Sequence, residues 1–122
     1  MMPFRTDFRP VYDAIKKAAE AVDLRCERAD DIWIKQHVMQ DIVDLITKAC
    51  VVICDCSLKN SNVFYELGIA HALGKEVIIV AQSKDDIPFD LQHLRHVTYL
   101  PNKQGLGKLT QQVQDRLKTV ID

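Results

Sequence analysis

Runs of apolar residues recur along the chain, separated by segments with helical periodicity. The central run, residues 50–54, stops at Asp55, which is typical of a strand buried on both faces of a parallel sheet. Residues 76–81 form a second such run, and residues 97–100 form a third, shorter one. Residues 24–28 alternate between apolar and polar side chains. The pattern therefore predicts four strands.

Four segments carry apolar residues at the spacing of an amphipathic helix. The first follows Thr6 or Asp7, either of which is a suitable N-cap, and Pro10 fits its opening turn. The second spans about residues 34–49. Because helices alternate with strongly apolar strands, the pattern predicts a parallel sheet with helices on both faces.

The third helix follows the central strand after a polar loop. Ser61 or Asn62 is its expected N-cap, and Gly74 is expected to end it. Gly105 and Gly107 precede the apolar stripe of the fourth helix. Because glycine is unfavourable inside helices, we expect these two residues to break the chain before that helix begins.

These elements predict an α/β fold, a flavodoxin-like three-layer sandwich with a mostly parallel sheet of about five strands. The first strand departs from the pattern, because only Met1 and Met2 precede Pro3. Either this strand is a stump, or residues upstream of it are missing from the sequence. The 122 residues are expected to form a single domain, residues 1–122, alone or as part of a longer protein.

Composition and charge argue against several classes of protein, namely nucleic-acid-binding, membrane-spanning and secreted ones. The formal net charge is −1 and no basic face stands out, which argues against binding nucleic acid. No apolar run approaches the roughly 20 residues of a membrane helix, and the N-terminus lacks the apolar core of a signal peptide. Cys50, Cys54 and Cys56 share one strand, where cross-links are geometrically poor. We therefore expect reduced thiols and a cytoplasmic protein.

The sequence predicts no metal site and no cofactor. The four histidines do not form a metal site, because His93 and His96 are three residues apart but no acidic or cysteine partner completes a ligand set with them. The four glycines form neither a dinucleotide-binding nor a phosphate-loop pattern.

Asp55 and Glu66 are the candidate catalytic residues. Asp55 ends the central strand and Glu66 lies near the start of the third helix, so we expect both in one solvent-reachable pocket at the carboxyl edge of the sheet. Glycosyl chemistry uses such a pair. Each also has a structural interpretation: Asp55 as a cap for loop amides, and Glu66 as an acid stabilised by about 0.3–1 kcal/mol at a helix N-terminus. Gly68 favours the functional interpretation, because a mid-helix glycine costs about 1 kcal/mol and indicates a close approach.

Further candidates for contacting a substrate surround this pair. Tyr65 and Asn62 offer polar atoms at the same end of the third helix. Arg5 is either a phosphate contact or a solvated arginine, and Asp30 either faces the cleft or caps the second helix. The candidate substrate-binding residues are Asn62, Tyr65, Phe4, Arg5, Asp30 and Asn60.

Several segments together resemble one bacterial family. The most specific is residues 60–70, Asn-Ser-Asn-Val-Phe-Tyr-Glu-Leu-Gly-Ile-Ala. Weaker matches are residues 2–4, 12–15, 28–30, 52–55 and 74–75. Over nearly its whole length the chain resembles the nucleoside 2-deoxyribosyltransferase-like group, which is related in fold to Toll/interleukin receptor (TIR) domains.

The resemblance implies roles for both carboxylates. In the transferases the glutamate of Glu-Leu-Gly takes the deoxyribosyl group from a base, a role that would fall to Glu66. An assisting aspartate lies upstream, and Asp55 is the nearest match. TIR-like enzymes use a comparable glutamate to cleave the nicotinamide–ribose bond of NAD.

The predicted function is that of a nucleoside- or nucleotide-binding enzyme that cleaves or transfers at an N-glycosidic bond, as a hydrolase or transferase. NAD is a candidate substrate. The alternative is a non-catalytic module that senses a nucleotide or self-associates in signalling. In both cases we expect a small-molecule nucleoside or nucleotide as ligand, no nucleic acid or membrane, and a homo-oligomer.

Overall fold

A computed structural model describes residues 1–3, 6–28 and 38–121. Short 3₁₀ turns connect several of its main elements. In chain order these elements are α1 (Arg9–Ala21), α2 (Val38–Lys48), β1 (Val52–Asp55), α3 (Ser61–Ala72), β2 (Val77–Ala81), β3 (His96–Thr98) and α4 (Lys103–Ile121).

The strands form one open parallel sheet in the order β1-β2-β3. Buried residues of α1 and α4 pack on one face of the sheet, in a cluster that includes Ile78 and Val97. Residues of α2 and α3 pack on the other face, in a cluster that includes Cys54 and Ile79. The prediction of a mixed α/β fold with a parallel sheet between helical layers is confirmed. The described residues contain three strands, however, where about five were predicted.

The chain start occupies the position expected for the first strand, but only as a stub. The Met1 ammonium donates to Ile53 O at 2.8 Å, and Asp55 N–H donates to Met1 O at 2.7 Å. These two bonds set Met1 opposite Cys54 in parallel orientation, on the edge of β1 that faces away from β2. Pro3 has no N–H group with which to extend the ladder.

The prediction of a strand at residues 24–28 is wrong. This segment forms no ladder, although its residues still alternate between half-buried and exposed. Leu24 and Cys26 pack against the core from the side. The pattern of a strand is therefore present, but no strand among the described residues lies beside it to supply hydrogen bonds.

The caps of α1 and α3 differ from those predicted. Phe8 is the N-cap residue of α1, without a side-chain hydrogen bond, because a 3₁₀ turn begins at Thr6. Pro10 lies in the first turn of α1, as predicted. Asn60, not Ser61 or Asn62, caps α3, and its Oδ1 accepts the N–H groups of Asn62 and Val63 at 3.0 and 3.1 Å.

The two glycines near residue 105 lie inside α4, so the predicted break is wrong. Asn102 Oδ1 accepts the Gly105 N–H at 2.7 Å. A Cβ at Gly105 would lie 2.1 Å from Leu100 O, so glycine is required there for close packing. Gly74 ends α3 as predicted, with φ of +71°.

The second helix begins at Val38 in the described residues, and the predicted residues 34–37 lie outside them. Among the helices described, none combines the length and apolar character needed to cross a membrane.

Candidate functional site

Asp55 is wholly buried at the end of β1, which contradicts the expectation of a solvent-reachable carboxylate. Its Oδ1 accepts the Ser57 N–H at 2.9 Å, and its Oδ2 accepts the Tyr99 hydroxyl at 2.5 Å. Burial raises the pKa of Asp55, and the hydrogen bonds from Ser57 and Tyr99 act in the opposite direction. The structural interpretation, in which Asp55 caps the loop, is therefore the one that this geometry supports.

Asp55 belongs to a buried network that ties together the carboxyl ends of all three strands. Ser57, itself buried, accepts the Gln82 N–H on its Oγ at 2.9 Å. Gln82 Nε2 in turn donates to the Tyr99 hydroxyl at 3.4 Å. Burial raises the pKa of Tyr99, and the adjacent Asp55 carboxylate raises it further. The phenol therefore remains a proton donor at neutral pH.

Ser57, Gln82 and Tyr99 were not singled out in the sequence. One signal was available, because Gln82 and Tyr99 are each the first residue after their strand. Polar residues at those positions meet at the carboxyl edge of a parallel sheet.

Glu66 is buried as well, at 4% exposed, so the expectation of a solvent-reachable carboxylate is also wrong for this residue. Since α3 begins at Ser61, Glu66 is its sixth residue and lies in the second turn. The helix dipole acts on charges within the first turn, so it does not account for a carboxylate here. Burying a charged group is costly in free energy. The helix dipole therefore does not explain the position of Glu66.

Cys54 and the helix that carries Glu66 belong to the same layer of the fold. Burial raises the pKa of the Cys54 thiol, and the charges of Glu66 and Asp55 add to that effect. Cys54 belongs to the core cluster between the sheet and α2 and α3. Glu66 is buried on α3 and therefore lies in this same layer.

The two carboxylates lie in opposite layers of the fold. Side chains alternate along a strand, and Cys54 faces the α2–α3 layer, so Asp55 faces the α1–α4 layer. Its partner Tyr99 belongs to the cluster of that second layer. This arrangement does not form the predicted pocket in which Asp55 and Glu66 would both contact one sugar.

The remaining candidates divide by position. Tyr65 is 60% exposed, and Asn62 is also exposed on the first two turns of α3. The side-chain oxygen of Asn60 serves as the helix cap. Three further candidates, Phe4, Arg5 and Asp30, lie outside the described residues.

The loop between β1 and α3 has an unusual backbone. Leu58 and Lys59 both have positive φ, 66° and 52°. The Leu58 N–H donates to Asp86 Oδ2 at 3.1 Å, which links this loop to the loop after β2. Leu58 is 49% exposed, and Phe89, which follows β2, is 85% exposed. The carboxyl edge thus presents apolar side chains to solvent on both loops.

Gly68 does not have the role inferred from the sequence. A Cβ added there would meet no atom within 4 Å, and the residue is exposed. No described residue therefore makes the close approach to Gly68 that we expected from the sequence.

A cavity of about 330 Å³, lined mostly by residues with polar side chains, adjoins the network on the side of β3 and α4. Tyr99 and Gln82 belong to both the network and the cavity wall, and Lys108 is the cationic residue in the wall. No acidic residue is among the described lining. The other lining residues are Thr98, Leu100, Asn102, Gln104, Gly105 and Gln112.

Comparison with known proteins adds no identification. No protein-family model matches the chain, and no curated protein is similar to it in sequence. The resemblance to the deoxyribosyltransferase-like and TIR-like group therefore remains a prediction.

Proposed function

We propose that the chain is a nucleoside- or nucleotide-binding enzyme of flavodoxin-like architecture that acts on an N-glycosidic bond, with Glu66 as its catalytic carboxylate. The observation that carries the proposal is the burial of Glu66 in the second turn of α3, the helix that follows β1 and packs against it. Carboxyl ends of parallel strands are where open α/β sheets bind their ligands. A buried carboxylate on the helix that follows β1 matches the role that the resemblance implies.

Glu66 would act alone in forming the covalent bond. Its carboxylate attacks C1′, the C1′–N bond breaks, and the electron pair leaves with the base, which takes a proton from solvent. Water then hydrolyses the glycosyl ester, releasing the sugar and restoring the carboxylate. If a free base attacks C1′ in place of water and loses its ring N–H proton to solvent, a new C1′–N bond forms, the carboxylate is restored and the outcome is transfer.

Asp55 would be a positioning residue in this scheme. It holds the Ser57 N–H at the start of the loop that ends at Asn60, the cap of α3. The loop and the cap together set where α3 begins and hence where Glu66 lies. Tyr65 and Asn62, both exposed on α3, are the described residues available to contact the sugar or base.

The proposal is tested by incubating the protein with deoxynucleosides, and separately with NAD, and measuring free base or nicotinamide by chromatography. Glu66→Gln keeps the shape of the side chain and removes the nucleophile, so we expect product formation to fall by at least about 10²-fold. Glu20→Gln, on the exposed face of α1, is the matched control and should retain activity. Undiminished turnover in folded Glu66→Gln would refute the assignment.

A second candidate function is nucleotide sensing without turnover. The observation that favours it is the cavity beside Tyr99, whose described lining contains Lys108 and no acidic residue. Such a lining suits an anionic or amide-bearing ligand. Calorimetric binding of a nucleotide with no product after hours, weakened by Lys108→Gln, would support this function over catalysis.

A further inference from the structure

The outer edge of β1 is an incomplete ladder. Val52 and Cys56 direct their N–H groups to β2. Because backbone groups alternate along a strand, Val51, Ile53 and Asp55 direct theirs to the opposite edge. That edge is where the chain start lies.

Met1 fills one position of this ladder and leaves the next one open. It takes up Ile53 O and the Asp55 N–H. Among the described residues, nothing hydrogen-bonds the Ile53 N–H or the Val51 carbonyl on this edge. In a parallel ladder these two groups pair with one residue, two positions before the residue that pairs at Cys54. The open position therefore lies directly upstream of Met1 in space.

A cavity of about 390 Å³ runs along this open stretch of β1. It lies in the plane of the sheet, since both helical layers wall it. Residues 24–28 close its outer side. The apolar side chains from the two layers are Ile15, Ala19 and Leu117 on one side, and Leu45, Ile46 and Ala49 on the other.

Residues 24–28, which form the outer wall of the cavity, have the alternating burial of a β-strand but no hydrogen-bonded neighbour among the described residues. Leu24 and Cys26 are half-buried toward the core, while Arg25 and Glu27 are exposed and form an ion pair at 2.8 Å. Residues 24–28 are not part of the sheet, because the cavity separates them from β1. A strand placed in the cavity would have backbone partners on both sides.

We propose that this slot, bounded by β1 and residues 24–28, holds one further β-strand that runs parallel to β1 and is joined to Met1. The direction follows from the parallel pairing of Met1 with Cys54. The strand is apolar on both faces, because both walls are apolar, as in other parallel sheets. Filling the slot also turns residues 24–28 into the edge strand, which accounts for both strands absent from the described sheet.

A covalent connection to Met1 is favoured over a separate partner for two reasons. A strand from another chain would end against the Met1 ammonium, which is half-buried at the cavity and already donates to Ile53 O. A peptide bond in place of two chain ends removes both charges from an apolar site. It also avoids the loss of translational and rotational freedom that association costs.

The test compares the chain as it stands with two versions extended by four residues before Met1. One extension alternates valine and isoleucine, and the matched control is glycine and serine. We expect the apolar extension to raise Tm and to slow amide exchange at Ile53 by roughly tenfold, the effect of about two hydrogen bonds. Residues 24–28 should gain exchange protection at the same time. Equal behaviour of the two extensions would overturn the proposal.

Two further experiments identify what fills the slot beside β1. Ala49→Phe places a ring in the slot, so it should abolish the gain from the apolar extension while leaving the unextended chain folded. The same apolar peptide added free, at equimolar concentration, should not protect Ile53. Protection by the free peptide would assign the slot to a separate partner. Protection that rises with the concentration of the unextended chain would assign it to a second copy, and either result overturns the connection to Met1.

Discussion

The hydroxyl of Tyr99 donates to Asp55 Oδ2 at 2.5 Å, joining the residue after β3 to the last residue of β1 across the carboxyl edge of the sheet. The two residues are 44 positions apart in sequence. Asp55 is inaccessible to solvent, and Tyr99 is 5% exposed. This hydrogen bond thus fixes the two outer strands of the described sheet relative to each other.

Tyr99→Phe should lower the free energy of unfolding by about 1–3 kcal/mol, because it leaves a buried carboxylate oxygen without its donor. Urea titration followed by circular dichroism measures the change. Tyr65→Phe is the matched control, since Tyr65 is mostly exposed, and it should change stability by no more than about 0.5 kcal/mol. Equal stability of the two variants would show that the hydrogen bond contributes nothing.

The same site predicts a pH dependence of stability. Burial, opposed by the hydrogen bonds from Ser57 and Tyr99, raises the pKa of Asp55 above its ordinary 3.8. The folded protein therefore binds this proton more tightly than the unfolded chain does. The resulting stabilisation is complete below the ordinary pKa and is lost as the pH rises through the folded-state pKa.

Asp55→Asn removes this titration while nearly preserving the shape of the side chain. The free energy of unfolding of the native protein, minus that of the variant, should therefore fall as the pH rises above about 4. Denaturant titrations at several pH values measure the difference. A difference that rises with pH would mean that hydrogen bonding outweighs burial at Asp55.

The central strand and the helix after it were predictable, because an unbroken apolar run and a polar loop are local features. The burial of Asp55 was not predictable from the same pattern. Its covering partner, Tyr99, comes from a distant segment, and periodicity carries no information on such pairings. Similarly, residues 24–28 have the alternation of a strand, but strand formation also requires a neighbour, which lies elsewhere in the chain.

The roles of the glycines were also not predictable from local sequence, because they depend on which distant residues pack beside them. They give a third prediction. Gly105→Ala should lower the free energy of unfolding by about 1–3 kcal/mol or more, since its Cβ would lie 2.1 Å from Leu100 O. Gly68→Ala and Gly107→Ala meet no atom within 4 Å and lie inside helices, so each should raise stability by up to about 1 kcal/mol. Thermal and urea unfolding of the three variants give the comparison. A loss of stability in Gly68→Ala would restore a packing role for that residue.

The cap of α3 gives the last prediction, and it bears on the candidate site because this helix carries Glu66. Asn60→Ala should lower the free energy of unfolding by about 1 kcal/mol, since Asn60 Oδ1 accepts two of the free N–H groups at the start of the helix. Asn62→Ala should change it by no more than about 0.5 kcal/mol, because Asn62 is exposed and contributes only its backbone N–H to the cap.

The same pair of variants separates stability from ligand contact. If Asn62 touches a nucleoside, Asn62→Ala weakens binding in calorimetry while its unfolding curve stays unchanged. Asn60→Ala should do the reverse at temperatures where it is fully folded, because its side-chain oxygen is already committed to the helix. Loss of binding in Asn60→Ala alone would transfer the contact to Asn60 and contradict the assignment of Asn62.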